Sequence, residues 1–456
     1  MTYPSSRILI TSALLAGHML ASTVHAAGFA VIENNASGQG NAYAGAAAVA
    51  EDASTIFFNP AGMTRLSKRQ VVSSGHLIIP DADFDNKGST DSALLGGNPL
   101  SGSDDDGGFL AIVPNLYVVY PLQNGITLGL GINAPFGLKT DYDDDWVGRY
   151  HAVESDLRTV NINPSIAFKV NDALSLGAGL NVQYADVILS SAIDFGAICV
   201  AALGGGTCAS LGALPQQADG FVELTADNAS NLTFGFNLGL LYEFSNATRV
   251  GLSYRSEIEH DVKGDADFRV PSAAAFALGG GAFVDTDLEA TVTLPESISL
   301  SFYHELNNKL ALLADTTWTG WSSFEELRIE FDNPAQPDGV TTEDWDDSWR
   351  VSLGAIYSLN PKWQLRGGLA YDQTPIPNSK FRTPRVPGND RTWVSLGATW
   401  FYNDAFTFDF GYSHLFIPDT DIDNELESSV PTATPTLTGT YEASVDILSA
   451  QVRWNF

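Results

Sequence analysis

Beyond residue 26 this chain has no apolar run of the roughly 20 residues that a membrane-spanning helix needs. Any crossing of a bilayer must then be made by strands, since only helices and closed barrels satisfy their backbone hydrogen bonds in lipid. Basic residues are scarce. The sequence holds 23 Lys and Arg against 54 Asp and Glu, a formal charge of −31. That balance argues against a nucleic-acid partner, which needs a basic surface. Cysteine is limited to Cys199 and Cys208, in a Gly/Ala-rich stretch with no His close by. A metal pair is not expected there; in an oxidising compartment the two thiols should form a local structural disulfide.

Enzyme constellations are lacking too. His304-Glu305 opens like a zinc-protease motif, but Asn308 stands where the second His belongs. Asp419, Asp421 and Asp423 imitate the start of a calcium loop, yet Asn424 replaces its glycine and Val430 its bidentate Glu. Gly38-Gln39-Gly40 lacks the spacing of a dinucleotide fingerprint. No catalytic residue, cofactor or resident metal is expected.

What the chain does have begins with a leader. In residues 1–26 Arg7 is the only charge, Ile8 to Leu20 are largely apolar, and Val24-His25-Ala26 offers a cleavage site, so these residues read as a secretory signal peptide. Its removal takes the charge to −32, that is −31 less the one of Arg7. Residues 27–68 are rich in Gly, Ala and Ser, without period-2 patterning, and suit a plug packed in a confined space.

From residue 69 to 456 apolar and polar residues alternate. Leu232, Phe234, Phe236, Leu238 and Leu240 are separated by Thr233, Gly235, Asn237 and Gly239. Side chains on a strand alternate between faces, so one face is greasy and the other polar or tiny, as in a strand between lipid and a polar lumen. Fourteen such runs can be counted, from 69–84 to 440–456. Short turns such as Gln123-Asn124, Asn171-Asp172 and Asn403-Asp404 join alternate pairs, and long connections such as 194–230, 264–286 and 418–439 join the others. The fold expected is all-β: a transmembrane antiparallel barrel of about 14 strands with an N-terminal hatch in its lumen. Charges on the lumen register include Arg249, Arg255, Glu257, Arg350, Arg366, Asp372 and Asp409. Acid gathers between strands, in Asp104-Asp105-Asp106, Asp141 to Asp145, Glu343 to Asp347 and Asp419 to Glu427. Solvated loop tips explain these clusters; divalent cations bridging to lipid headgroups are the sharper alternative.

Several motifs occur in order along the chain: Ala27-Gly28-Phe29, Ser37-Gly38-Gln39-Gly40-Asn41-Ala42-Tyr43, Asn59-Pro60-Ala61, Tyr254-Arg255-Ser256-Glu257, Leu294-Pro295-Glu296, Trp318-Thr319-Gly320-Trp321 and Asp347-Ser348-Trp349-Arg350, ending in Val452, Trp454 and Phe456. Together they resemble the FadL/TodX outer-membrane transporters of long-chain fatty acids and other hydrophobic compounds. The resemblance implies a passive uptake channel in the outer membrane of a Gram-negative cell. Ligand is captured in a loop groove, passed to an apolar pocket and released sideways into the membrane after a hatch change. It implies a hatch gate at Asn59, Pro60 and Ala61. It also places a strand kink and lateral opening at Asn133, Pro135 and Gly137, where the missing N–H of proline and the missing side chain of glycine weaken strand pairing. Arg328 matches one family position for the ligand carboxylate; a second falls near Ser191, where no cation is available. Neutral hydrocarbons, aromatic or alkane, therefore compete with fatty acids as cargo, and a general porin is a further alternative. The expected partners are the hydrophobic ligand and outer-membrane lipid, including lipopolysaccharide, with the chain a monomer.

Overall fold

The computed structural model describes residues 28–122, 125–229 and 231–456. The leader expected over 1–26 and the Gln123-Asn124 turn lie outside the described residues. Fourteen strands, all paired antiparallel, form the wall. They are β1 (Gln70–Asn86), β2 (Ala111–Pro121), β3 (Ile126–Asn133, resuming as Gly137–Asp141), β4 (Glu154–Lys169) and β5 (Leu174–Asp194). Four strands in two pieces follow: β6 (Asp219–Asp227 and Thr233–Ser245), β7 (Thr248–Arg255 and Ile258–Arg269), β8 (Thr286–Leu294 and Ser297–Asn307) and β9 (Leu310–Thr319 and Glu326–Phe331). The wall ends with β10 (Ser348–Asn360), β11 (Trp363–Asp372), β12 (Arg391–Phe401), β13 (Phe406–Phe416) and β14 (Thr436–Asn455). β14 pairs back onto β1 from Gln70↔Asn455 to Asn86↔Gly439, closing the cylinder.

The alternation read from the sequence puts apolar side chains outward. Phe234, Phe236, Leu238, Leu300, Leu353 and Leu396 are exposed, whereas Asn237, Ser301, Ser352, Ser395 and Ser413 are buried in the interior. This inverts the pattern of a soluble sandwich and suits a wall bathed in lipid. Among the described residues no helix is long and apolar enough to cross a membrane.

The wall departs from the expected runs in four places. Residues 219–227, expected within a long loop, form the outer arm of β6 and pair with β5. β7 continues to Arg269 and β14 starts at Thr436, which shortens the loops expected over 264–286 and 418–439. Two short strands, Gly339–Thr342 and Thr420–Glu425, add to β9 and β14. Glu257, placed on the lumen register, is exposed instead. The ladder breaks between Arg255 and Ile258, and the inserted residue moves the inward register from odd to even positions, as a bulge does.

Inside the barrel, residues 28–69 fold as one-turn helical pieces (Ala36–Gln39, Ala46–Val49, Thr55–Phe58) and the 3₁₀ turn Pro60–Arg65. Inward-facing charges hold them there. Arg249 Nε donates to Ala48 O at 2.6 Å and Arg350 Nη2 to Ala42 O at 2.9 Å. Arg366 Nη1 lies 2.8 Å from Glu51 Oε1, and Arg453 Nη2 2.8 Å from Asp409 Oδ1. Gln451 Nε2 joins Asp52 Oδ2 (2.9 Å) to Asp409 Oδ2 (3.0 Å). Charges that would be intolerable unpaired in a dry core are paired here with one another or with hatch carbonyls.

Candidate functional site

Asn59 sits where the hatch meets β5 and β6. Its Nδ2 donates to Ala47 O (2.7 Å) and to Leu240 O (2.9 Å), and its Oδ1 accepts from the amide of Ala61 (3.0 Å). Pro60 starts the 3₁₀ turn, where its missing N–H costs nothing. The approach is close because Gly177 and Gly239 face each other across β5 and β6. A Cβ at Gly239 would collide with Asn59 Oδ1, and one at Gly177 with the backbone of Pro60 and Ala61. Thus Asn59, Pro60 and Ala61 lie together on a flat glycine patch of the inner wall.

Asn133, Pro135 and Gly137 mark an interruption of β3. The strand pairs with β4 as far as Asn133↔Asn161 and resumes at Gly137↔Arg158. On its other side, pairing with β2 stops at Leu116↔Ile132, so Ala111–Asn115 have no partner across this gap. The chain's first described residues fill it. Val31 donates to Pro135 O (2.9 Å) and Gly137 to Phe29 O (3.0 Å). Asn133 Nδ2 donates to Asn34 Oδ1 at 3.0 Å and its Oδ1 accepts from Asn161 Nδ2 at 3.0 Å, tying segment to wall.

Phe29 anchors this segment in an aromatic cage. Its ring centroid lies 4.8 Å from Trp321, 5.7 Å from Trp345, 5.8 Å from Phe324 and 6.2 Å from Phe136. Trp321 is buried here because β9 breaks after Thr319 and turns it inward. Trp345 is fixed by its Nε1–H, which donates to Glu343 Oε2 at 2.8 Å. Glu343 is buried, and burial pushes its carboxyl up to about 8 against the pull of Trp345 and Arg385. Neither Phe29 nor Trp345 stood out in the sequence as a site residue. The sequence marked Phe29 only as part of the Ala27-Gly28-Phe29 motif.

Two cavities adjoin the segment. One, of about 680 Å³, follows the β3 interruption from Ile132 to Thr140 and reaches outward-facing Leu110, Ile112 and Val160. The other, of about 160 Å³, lies between the hatch and β7 to β12 and is lined by Phe57, Phe58 and Trp321 with Arg255, Arg350 and Arg391. Ala30, Val31, Glu33, Phe136 and Arg391 belong to both, so the segment is the partition between them. Arg328 belongs to neither. It is half-exposed on the outer arm of β9, where Nε donates to Glu326 Oε1 (2.7 Å) and Nη1 to Asp338 Oδ2 (3.1 Å). Cys199 and Cys208 are bonded to each other in an outer loop, with Cα atoms 5.9 Å apart. Among the described residues, the carboxylates of Asp81, Asp83 and Asp106 lie within 4.8 Å of one another, all exposed. They could take a cation, but nothing buried is aimed at such a site.

The fold and its filled lumen have close counterparts. A family model described as "Outer membrane protein transport protein (OMPP1/FadL/TodX)" matches residues 17–456. The chain belongs to this family. It is 33% identical over 428 residues to outer membrane protein P1 of Haemophilus influenzae (strain ATCC 51907 / DSM 11121 / KW20 / Rd), covering 90% of this chain and 89% of that one. It is 31% identical over 435 residues to the long-chain fatty acid transport protein of Escherichia coli (strain K12), covering 90% and 93%. The solved structure of a Pseudomonas aeruginosa FadL homologue superposes with a TM-score of 0.84 at 26% identity, covering 94% of this chain and 100% of that one. As a family member the protein is an outer-membrane β-barrel of a Gram-negative cell that transports hydrophobic compounds.

Proposed function

We propose that the cargo is a long-chain fatty acid, taken up passively and released sideways into the membrane. The observation that carries this reading is the pair of cavities divided by the Ala30–Glu33 stretch with Phe136 and Arg391: one holds Arg255 and Arg350 in the interior, the other follows the break in β3 toward the lipid face. Outer loops presenting exposed Leu94, Leu203 and Leu211 supply first capture. Each methylene removed from water there contributes about 0.8 kcal/mol. The tail then runs along the apolar lining, and its carboxylate meets Arg350 and Arg391. Asn59, Pro60 and Ala61 act as the hatch gate, and Asn133, Pro135 and Gly137 as the lateral opening. The working unit is a monomer in contact with outer-membrane lipid, including lipopolysaccharide. The 31% identity to a long-chain fatty acid transport protein supports the choice of cargo.

Uptake by cells lacking their own carrier tests it. Oleate should enter, and should outcompete toluene and hexadecane for the purified protein. Preference for the neutral compounds would make this a hydrocarbon channel. A steady ion current through wild type in a planar bilayer would make it a porin; the hatch filling the lumen argues for a closed recording.

A further inference from the structure

With every group ionised, the inner chamber is neutral by count. Glu33, Asp315 and Asp372 face Arg255, Arg350 and Arg391, three charges of each sign. A cargo carboxylate added to this set would be a surplus buried anion, which a low-dielectric interior does not tolerate. One resident carboxylate therefore has to make way. Asp315 and Asp372 are built into β9 and β11. Asp315 also accepts from Ser299 (3.0 Å), Thr317 (2.9 Å) and Ser301, and Asp372 lies 4.0 Å from Arg350 Nε.

Glu33 is different in kind. It belongs to the segment that is no part of the barrel ladder, and it lines both cavities. Burial pushes its carboxyl up to about 7, with Arg391 and Arg350 pulling the other way. Of the cations that line the same chamber, Arg350 keeps donors in reserve. Arg350 spends Nη2 on Ala42 O, while its Nε and Nη1, both buried, make no hydrogen bond. Arg391 Nη2 donates to Gly28 O at 3.2 Å, so a guanidinium that lines both cavities with Glu33 also grips the start of the segment.

We infer that Glu33 is a built-in substitute for the cargo's carboxylate. At rest it balances Arg350 and Arg391. An arriving fatty-acid carboxylate takes its place, and the displaced segment lets go of the break in β3. Opening is then answered by the headgroup and not by the tail alone. A neutral chain of equal length fills the apolar lining without exchanging with Glu33. The inference rests on the fatty-acid reading above and adds to it what triggers the partition.

Oleate and oleyl alcohol, which share a tail, separate the possibilities. Glu33→Gln removes the competitor and should tighten oleate binding about tenfold, since a fully available site binds in proportion to its availability, while oleyl alcohol stays within about twofold. Arg350→Met should weaken oleate about tenfold. In the double variant the gain from Glu33→Gln should vanish, the non-additivity expected of two groups in one exchange. A Glu33→Gln variant that migrates as a folded barrel yet binds oleate no better than wild type overturns the inference. Should that variant misassemble, wild type alone decides. Oleate should speed hydrogen exchange at the amides of Val31 and Gly137 and oleyl alcohol should not; equal exchange with both ligands overturns it as well. If wild type binds the alcohol as tightly as oleate and Arg350→Met changes neither, the fatty-acid reading itself fails.

Discussion

Val31 donates its amide proton to the carbonyl of Pro135, on the strand that proline interrupts. The partner of that bond is no neighbouring strand but a stretch of chain lying inside the barrel. With the Gly137 amide bonded to Phe29 O, it replaces ladder bonds that the wall itself lacks. Each such bond contributes about 1 kcal/mol net, and a buried group left without a partner costs about 1–3 kcal/mol. The hold of this stretch on the wall is therefore a small, reversible sum.

Locking the segment should stop transport. Ala30 and Phe136 form an antiparallel bridge, and residues so paired have Cα atoms close enough for a disulfide. The double variant Ala30→Cys/Phe136→Cys should lose oleate uptake when oxidised and regain it with reductant, with each single variant indifferent to redox state. Uptake by the oxidised form would exclude movement of this segment as the gate.

Loosening the hatch should act on a different contact. Asn59→Ala removes three hydrogen bonds, two of them buried, weakening the hatch anchor by about 2–3 kcal/mol. Gly239→Ala should have a similar effect, because its methyl would strike Asn59 Oδ1. Both variants should assemble normally and show several-fold lower oleate uptake. Wild-type uptake in both would leave Asn59 a packing residue only.

Arg328→Ala separates Arg328, the candidate that the resemblance implied, from Arg350 and Arg391 in the inner chamber. The ion pairs of Arg328 with Glu326 and Asp338 are open to solvent and screened, so the barrel should be unaffected. Oleate affinity should change by less than about twofold if Arg350 receives the carboxylate, since tenfold corresponds to about 1.4 kcal/mol. A tenfold loss on Arg328→Ala would return the role to Arg328.

The cage around Phe29 should respond to pH through Glu343. Its folded value of about 8 lies above the ordinary value of about 4.3, so the folded form holds the proton more tightly. The stabilisation is complete below about pH 4.3 and is lost progressively as pH rises through about 8. Arg385 favours the charged form and Glu427 opposes it. Raising the pH from 5 to 9 should red-shift the emission of Trp345 in a variant with its other tryptophans replaced, and Glu343→Gln should flatten that dependence. A shift of equal size in Glu343→Gln would point to another group.

The wall was legible in the sequence because a barrel strand repeats one simple pattern, as Phe234, Phe236 and Leu238 show. The break at Pro135 and Gly137 was legible because proline and glycine have local consequences that need no neighbours, whereas Asn59 was marked by the family resemblance. Elsewhere the pattern was overridden by insertion. The break at Ser256 and Glu257 changes which face a side chain occupies without changing the residue types around it. The outer arm of β6 was hidden for another reason: Gly220, Phe221, Val222 and Leu224 lack strict alternation. The cage and the charge-balanced chamber join residues some 300 positions apart, such as Phe29 and Trp345 or Glu33 and Arg350. No spacing along the chain announces such meetings.

The seam between the first and last strands, Gln70 against Asn455 through Asn86 against Gly439, joins opposite ends of the polypeptide. Contacts of such separation are the slowest to form, because the whole intervening chain must be arranged first. That slow closure gives the hatch, which precedes the first strand, time to settle within the curling sheet. An assembly factor that held Gln70–Asn86 and Thr436–Asn455 apart until then would decide whether the product matures corked or hollow.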